Sequence, residues 1–362
     1  MMTNKNKISP NLWISLNSII VMAFCFIPGA IIPNQFLRDS LYYHAILSSS
    51  ISGFSGPVNL IGAIYAFIGI NAPGLILQLV STAIFIVNAY LIYKIFELQF
   101  VRISQYFASA FSLVLIPFYA SGYSKELLVA LTNITILLLV YKIKRIEFLA
   151  FPLISILIGL MLRPYYFLTL IFFIFVFLII KYVRNFLLRL ICIIFLLSSL
   201  ITFEFHTKFL QKVTGFDILN VRSNSQTILK LAARSQIEHV ETNGNFLHNS
   251  FSVVQIIWSM IFPYNEISLT PYVLGVLGIN LLVWVIVFRS LQLKVCQDNS
   301  RNLPIASFII AFSMTGTFFE VDAGSFLRHF YPFMPLGAII LQSTRSRYGA
   351  MLLKNASTWW RV

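Results

Sequence analysis

About ten apolar runs recur along the chain, most of them close to the ~20 residues an α-helix needs to cross the hydrocarbon of a bilayer. Backbone polar groups in that solvent must be satisfied within the segment itself, so the runs can only be helices. They fall at 12–32, 75–95, 105–121, 124–141, 147–162, 164–181, 187–203, 270–288, 304–319 and 326–342. Two shorter stretches, 57–70 and 250–263, read as re-entrant or interfacial helices. The fold class is therefore all-α: a polytopic membrane protein of about ten transmembrane helices, with residues 1–362 forming one integral membrane domain. Charged residues make up 10% of the chain, against about a quarter in soluble domains, which excludes an ordinary soluble globule. The first run lacks a small-residue cleavage site, so it reads as a span and not a signal peptide.

The net charge of +14 would suit nucleic acid, but the basic residues sit in short clusters between apolar runs, so no nucleic-acid partner is expected. Their alternation sets orientation. Lys5 and Lys7, Lys94 and Arg102, Lys142 to Arg145, Lys181 to Arg189, Arg289 to Arg301, and Arg345 to Arg361 all fall on one side. By the positive-inside rule that side, with both termini, is cytoplasmic. Of the acids only Glu97, Glu147 and Asp298 join it. Two outer segments are long: a first loop at 33–58 and a large loop at 204–250, within which 221–241 is compatible with helix. Cys25, Cys192 and Cys296 show no paired spacing, and neither a disulfide frame nor a metal site is expected.

The outer ends hold the ionisable residues that could do chemistry, since such groups are expensive beside apolar spans. The densest stretch is Phe319 to Pro332, with Glu320, Asp322, Arg328 and His329. Adjacent residues of a regular helix point about 100° apart, so Arg328 and His329 should face different points: Arg328 an anion, His329 the core. An acid–base role also stays open for His329, and Glu320 with Asp322 offers an alternative hold on Arg328. Asp39, in Arg-Asp-Ser-Leu-Tyr-Tyr-His, reads either as a general base or as a solvated acid paired with Arg38. Ser124 and Glu126 suit a helix start, whereas Lys125 is unfavourable there and points to an anionic ligand or an ion pair. Arg163, in a tight turn between two spans, needs a distant partner such as Glu126 or a lipid phosphate; snorkelling to head groups is its plain alternative. Glu266 either lines a cavity or marks the water boundary. No Walker loop, GxGxxG, HExxH or serine elbow occurs.

This layout resembles the bacterial repeat-unit polymerases of O-antigen and capsule. Arg38 to His44 looks like the first-loop acidic motif of the broader C-type membrane glycosyltransferases, and Arg328-His329-Phe330-Tyr331-Pro332 is similar to an Arg-aromatic-x-x-Pro element near their end. The resemblance implies a metal-independent transfer, without cofactor, at the periplasmic face of the bacterial inner membrane. The partners it implies are undecaprenyl-diphosphate-linked glycans and membrane lipids, with room for a chain-length regulator. Arg163 and Arg328 would bind the pyrophosphate, Lys125 would assist, and Asp39 or His329 would activate the acceptor hydroxyl. Glu126, Glu266, Glu320 and Asp322 would support them, and the 204–250 loop would select the sugar. Two rivals share the topology. A C-type transferase of a single polyprenyl-phosphate-linked sugar would use Asp39 as its base, and a lipid-linked oligosaccharide flippase would show mid-span charges and related halves.

Overall fold

The computed structural model describes residues 10–24, 75–96, 106, 109–110, 113, 125–142, 149–161, 164–214, 243–262, 271–292, 302–320 and 323–342. Every regular element among them is helical: α1 (Pro10–Phe24), α2 (Leu75–Ile95), α3 (Lys125–Lys142), α4 (Ala150–Met161), α5 (Tyr166–Tyr182), α6 (Phe186–Thr207), α7 (Phe209–Thr214), α8 (Phe246–Ile261), α9 (Pro271–Ser290), α10 (Asn302–Phe319), α11 (Ala323–Phe330), a 3₁₀ turn (Tyr331–Phe333) and α12 (Met334–Gln342). Two of them, α6 and α10, are long and apolar enough to cross a membrane. They sit differently in the molecule. The apolar window of α6 is 28% buried and that of α10 is 89% buried, so α6 lines the outside and α10 is the axis of the bundle.

Helix α10 packs on α5, α9, α12 and α8. Small residues let those neighbours come close: Ala306, Ser307, Ala311, Ser313 and Gly316 are spread along the buried length. Thr315 meets Thr169 of α5 in a 2.9 Å hydrogen bond, and Phe308 lies 4.8 Å from both Phe151 of α4 and Phe333. Asparagines start two of the surrounding helices. The Asn185 side chain accepts from Leu187 N–H and Leu188 N–H to open α6, and Asn245 accepts from Leu247 N–H and His248 N–H to open α8. At its far end α6 stops at Lys208, which takes a left-handed conformation (φ 49°) that a side chain adopts at a cost of ~1 kcal/mol.

Polarity is reversed on the outer helices. Helix α8 exposes Leu247, Phe251, Val254 and Trp258 while burying Asn249, Ser252 and Ser259. Helix α6 exposes Leu187, Ile191, Phe195 and Phe203 while burying Arg189, Ser198 and Glu204. Arg189 is 0% exposed, and its guanidinium donates to the carbonyls of Val183 (2.6 Å), Ile180 (2.7 Å) and Leu291 (2.6 Å). Those carbonyls belong to the ends of α5 and α9, where helix dipoles favour a cation. The residue read as part of a cytoplasmic charge cluster is therefore a buried staple that holds three helix ends together.

Helices α2, α3, α5, α9 and α10 lie within a few residues of the runs at 75–95, 124–141, 164–181, 270–288 and 304–319. The run at 147–162 gives α4, one arm of a hairpin with α5, as the turn at Arg163 suggested. The 250–263 stretch is helical, as read, over Phe246–Ile261, and both flanks of the 204–250 loop are helical. One expectation changes: the span at 326–342 is not continuous. It starts at Ala323 and breaks at Tyr331–Phe333, because Pro332 and Pro335 each lack an N–H for the helical ladder. Met334 N–H turns to Tyr331 O instead, and Asn88 Nδ2 of α2 donates to Pro332 O at 2.8 Å. The 33–58 loop, the 57–70 stretch and the 221–241 region lie outside the described residues, and of 105–121 only Tyr106, Ser109, Ala110 and Leu113 are described.

Candidate active site

The break at Pro332 shapes the site. Helix α11 runs back beside α10, with Phe326 against Gly316 and Phe330 against Phe312 (5.7 Å). That return lays Arg328 and His329 between Glu320, which follows α10, and Glu126, in the first turn of α3. His329 Nδ1 is hydrogen-bonded to Glu320 Oε1. On the other side of the ring, His329 Nε2 lies 3.4 Å from Glu126 Oε1, and Arg328 Nε lies 3.7 Å from the same oxygen. Glu126 is 1% exposed, while the Arg328 side chain is 28% exposed, so the arginine is the member of the group nearest to open space.

Two carboxylates, one guanidinium and one imidazole thus form a connected group in a mostly buried setting. Charge in an apolar interior is costly when its partners are taken away, so the four residues act as a unit. The imidazole has a fixed hold at Nδ1 and a second carboxylate beyond Nε2, an arrangement able to accept, store and pass a proton. The nearby rim is aromatic: Tyr165, in the turn before α5, stacks on Phe319 at 4.5 Å.

The structure brings Glu126, Glu320, Arg328 and His329 together, though not as the helix geometry suggested. Arg328 and His329 converge on a single oxygen. Helix α11 ends at Phe330, and both side chains are long enough to reach a carboxylate placed between their two directions. Arg328 is held by Glu126, and Glu320 holds His329. Lys125 opens α3, but its side chain lies outside the described residues, as do Asp39, Arg163, Glu266 and Asp322. Sequence reasoning read Glu126 as a helix-start acid and missed it as the second carboxylate of the histidine. No local pattern joins two residues so far apart, and the available signal was only that each is a rare charge beside a long apolar run. Comparison of the chain with protein families, with curated proteins and with solved structures gives no match.

Proposed function

We propose that this is a multi-pass protein of the bacterial inner membrane that polymerises undecaprenyl-diphosphate-linked oligosaccharide repeat units into O-antigen or capsule at the periplasmic face. Membrane residence is supported by the reversed polarity of α6 and α8, which turn large apolar side chains outward and Asn, Ser, Arg and Glu inward. Orientation is supported by Arg189 and Leu291: their bond joins the helix ends that carry Lys181, Arg184 and Arg289, the cytoplasmic clusters of the positive-inside reading. The acid–base group lies with the helix ends that this reading places outside.

The observation that carries the reaction is the imidazole of His329 held between Glu320 and Glu126 beside a partly exposed arginine. With His329 neutral, its Nε2 takes the proton of an acceptor sugar hydroxyl, and Glu320 stabilises the resulting imidazolium. The freed oxygen bonds to the anomeric carbon of the donor while the bond from that carbon to the diphosphate breaks. Arg328 stabilises the departing polyprenyl diphosphate, the kind of electrostatic assistance that usually dominates such steps. Asp39, Arg163 and Lys125 remain further candidates for the acceptor and phosphate ends of the same site.

A strain lacking the gene is expected to show surface polysaccharide reduced from a long ladder to core carrying a single repeat unit, restored by the wild-type chain and not by His329→Gln at equal expression. A ladder that persists with one sugar missing would turn the assignment to a single-sugar transferase. The depth of Glu126 and Glu320 favours one second reading, proton-driven export of a lipid-linked glycan, because buried His and carboxylate chains also serve proton relays. Purified protein that lengthens lipid-linked glycan without an energy source excludes it.

A further inference from the structure

Buried hydroxyls in helices normally bond the carbonyl one turn back, and most of those described here do: Ser198 to Ile194 O, Ser290 to Ile286 O, Ser307 to Leu303 O, Ser313 to Ile309 O and Thr315 to Ala311 O. Ser81 of α2 and Ser155 of α4 do not. Both are 0% exposed, and neither Oγ makes a hydrogen bond among the described residues. The Oδ1 atoms of Asn88 in α2 and Asn133 in α3 are in the same condition. Three of these atoms belong to α2 and α3, which pack along one another and both meet the Tyr331–Phe333 turn. Ser155 stands apart: one turn either side of it Phe151 meets Phe173 and Phe308, and Gly159 lies against Phe167, so it faces α5 and α10. Leaving such atoms dry costs stability.

Helices α2 and α3 reach the acid–base group. Asn133 stands seven residues after Glu126, two turns further along one face of α3. Asn88 uses its amide N–H to hold Pro332 O, three residues beyond His329, which leaves its oxygen to receive a donor. A buried water needs two to four polar partners, and here a hydroxyl and two amide oxygens on α2 and α3 are left without a direct bond.

We infer that the interior between α2 and α3 binds a chain of water molecules, held by Ser81, Asn88 and Asn133, that leads to Glu126 and gives the Glu126–His329 pair a route for protons through the protein. The inference rests on these polar atoms and holds whichever reaction the pair serves.

Hydrogen exchange at single thiols tests it. In a chain with Cys25, Cys192 and Cys296 replaced by alanine, Ser81→Cys places an S–H at the wet position, and Ser198→Cys and Ser313→Cys place one at buried positions whose native hydroxyls are satisfied. Infrared spectra after transfer of the membrane-embedded protein to D2O follow S–H converting to S–D. Exchange at position 81 is expected to be about tenfold or more faster than at 198 and 313, because an enclosed thiol exchanges only where water meets it. Adding Asn133→Leu to the Ser81→Cys chain should remove most of that difference. Equal rates at all three positions, or exchange at 81 that ignores Asn133→Leu, would overturn the water chain.

Discussion

At the scale of single residues, the chain places its few buried charges where each has several partners, and the partners say what each charge does. Arg189 is fully buried and donates to three backbone carbonyls at two helix ends, so its work is architectural. Arg189→Met keeps the volume and leaves those carbonyls unmet; the expected loss is about 3 kcal/mol or more, read as a lowered Tm in detergent, with Arg189→Lys recovering only part of it. His329 is partnered by side chains that can exchange protons, and its substitution should show in rate. Glu320→Gln preserves shape and removes the carboxylate from Nδ1. It is expected to lower glycan elongation by purified protein by about 100-fold, the size usual for losing general acid–base assistance, and by more than the accompanying fall in Tm explains. An elongation rate near wild type for Glu320→Gln would remove the imidazole from the mechanism. The residue types of this site were legible in the sequence because charge is rare in so apolar a chain. Their pairing was not, since Glu126 and His329 meet only through the packing of α3 against the turn at Tyr331–Phe333.

At the scale of elements, the site depends on how closely α11 lies against α10. A methyl group added at Gly316 would stand 2.9 Å from Cδ2 and Cε2 of Phe326, a ring that is fully buried and stacked near Trp284 and Phe330. The ring has nowhere cheap to go, so Gly316→Ala should push α11 outward. The expected cost is about 1–3 kcal/mol in stability, with a larger fall in elongation than the lost stability alone explains, because Arg328 and His329 ride on the displaced helix. Gly278 in α9 provides the control. Nothing lies within 4 Å of its added methyl, and Gly278→Ala is expected to be neutral or to raise stability by up to about 1 kcal/mol through helix propensity. Hydropathy placed most of the helices well, since length and apolarity are properties of contiguous sequence. It failed at 326–342, where the apolar run is continuous while the prolines divide the helix. There a backbone constraint overrode a pattern that hydrophobicity alone cannot distinguish.

At the scale of the whole molecule, α6 and α8 turn large apolar side chains outward and polar ones inward, the reverse of a surface helix in water, and that inversion can be measured at one position. Phe195 lies near the middle of α6 and is 60% exposed. In water, replacing so exposed a residue by a charged one changes stability by no more than about 0.5 kcal/mol and often improves solubility. In hydrocarbon the same change places a carboxylate where no partner or solvent reaches it, at about 2.5–3.5 kcal/mol on insertion scales. Phe195→Asp is therefore expected to cut the membrane-integrated fraction severalfold or more, assayed by carbonate-resistant pelleting against Phe195→Leu, which should behave as wild type. Ser198→Asp on the buried face of the same helix separates lipid exposure from simple damage to the bundle: it should lower the Tm of whatever protein inserts, whereas Phe195→Asp acts before that stage. Normal insertion of Phe195→Asp would mean that the outer face of α6 meets water or another protein surface, and the multi-pass reading of the chain would fall with it.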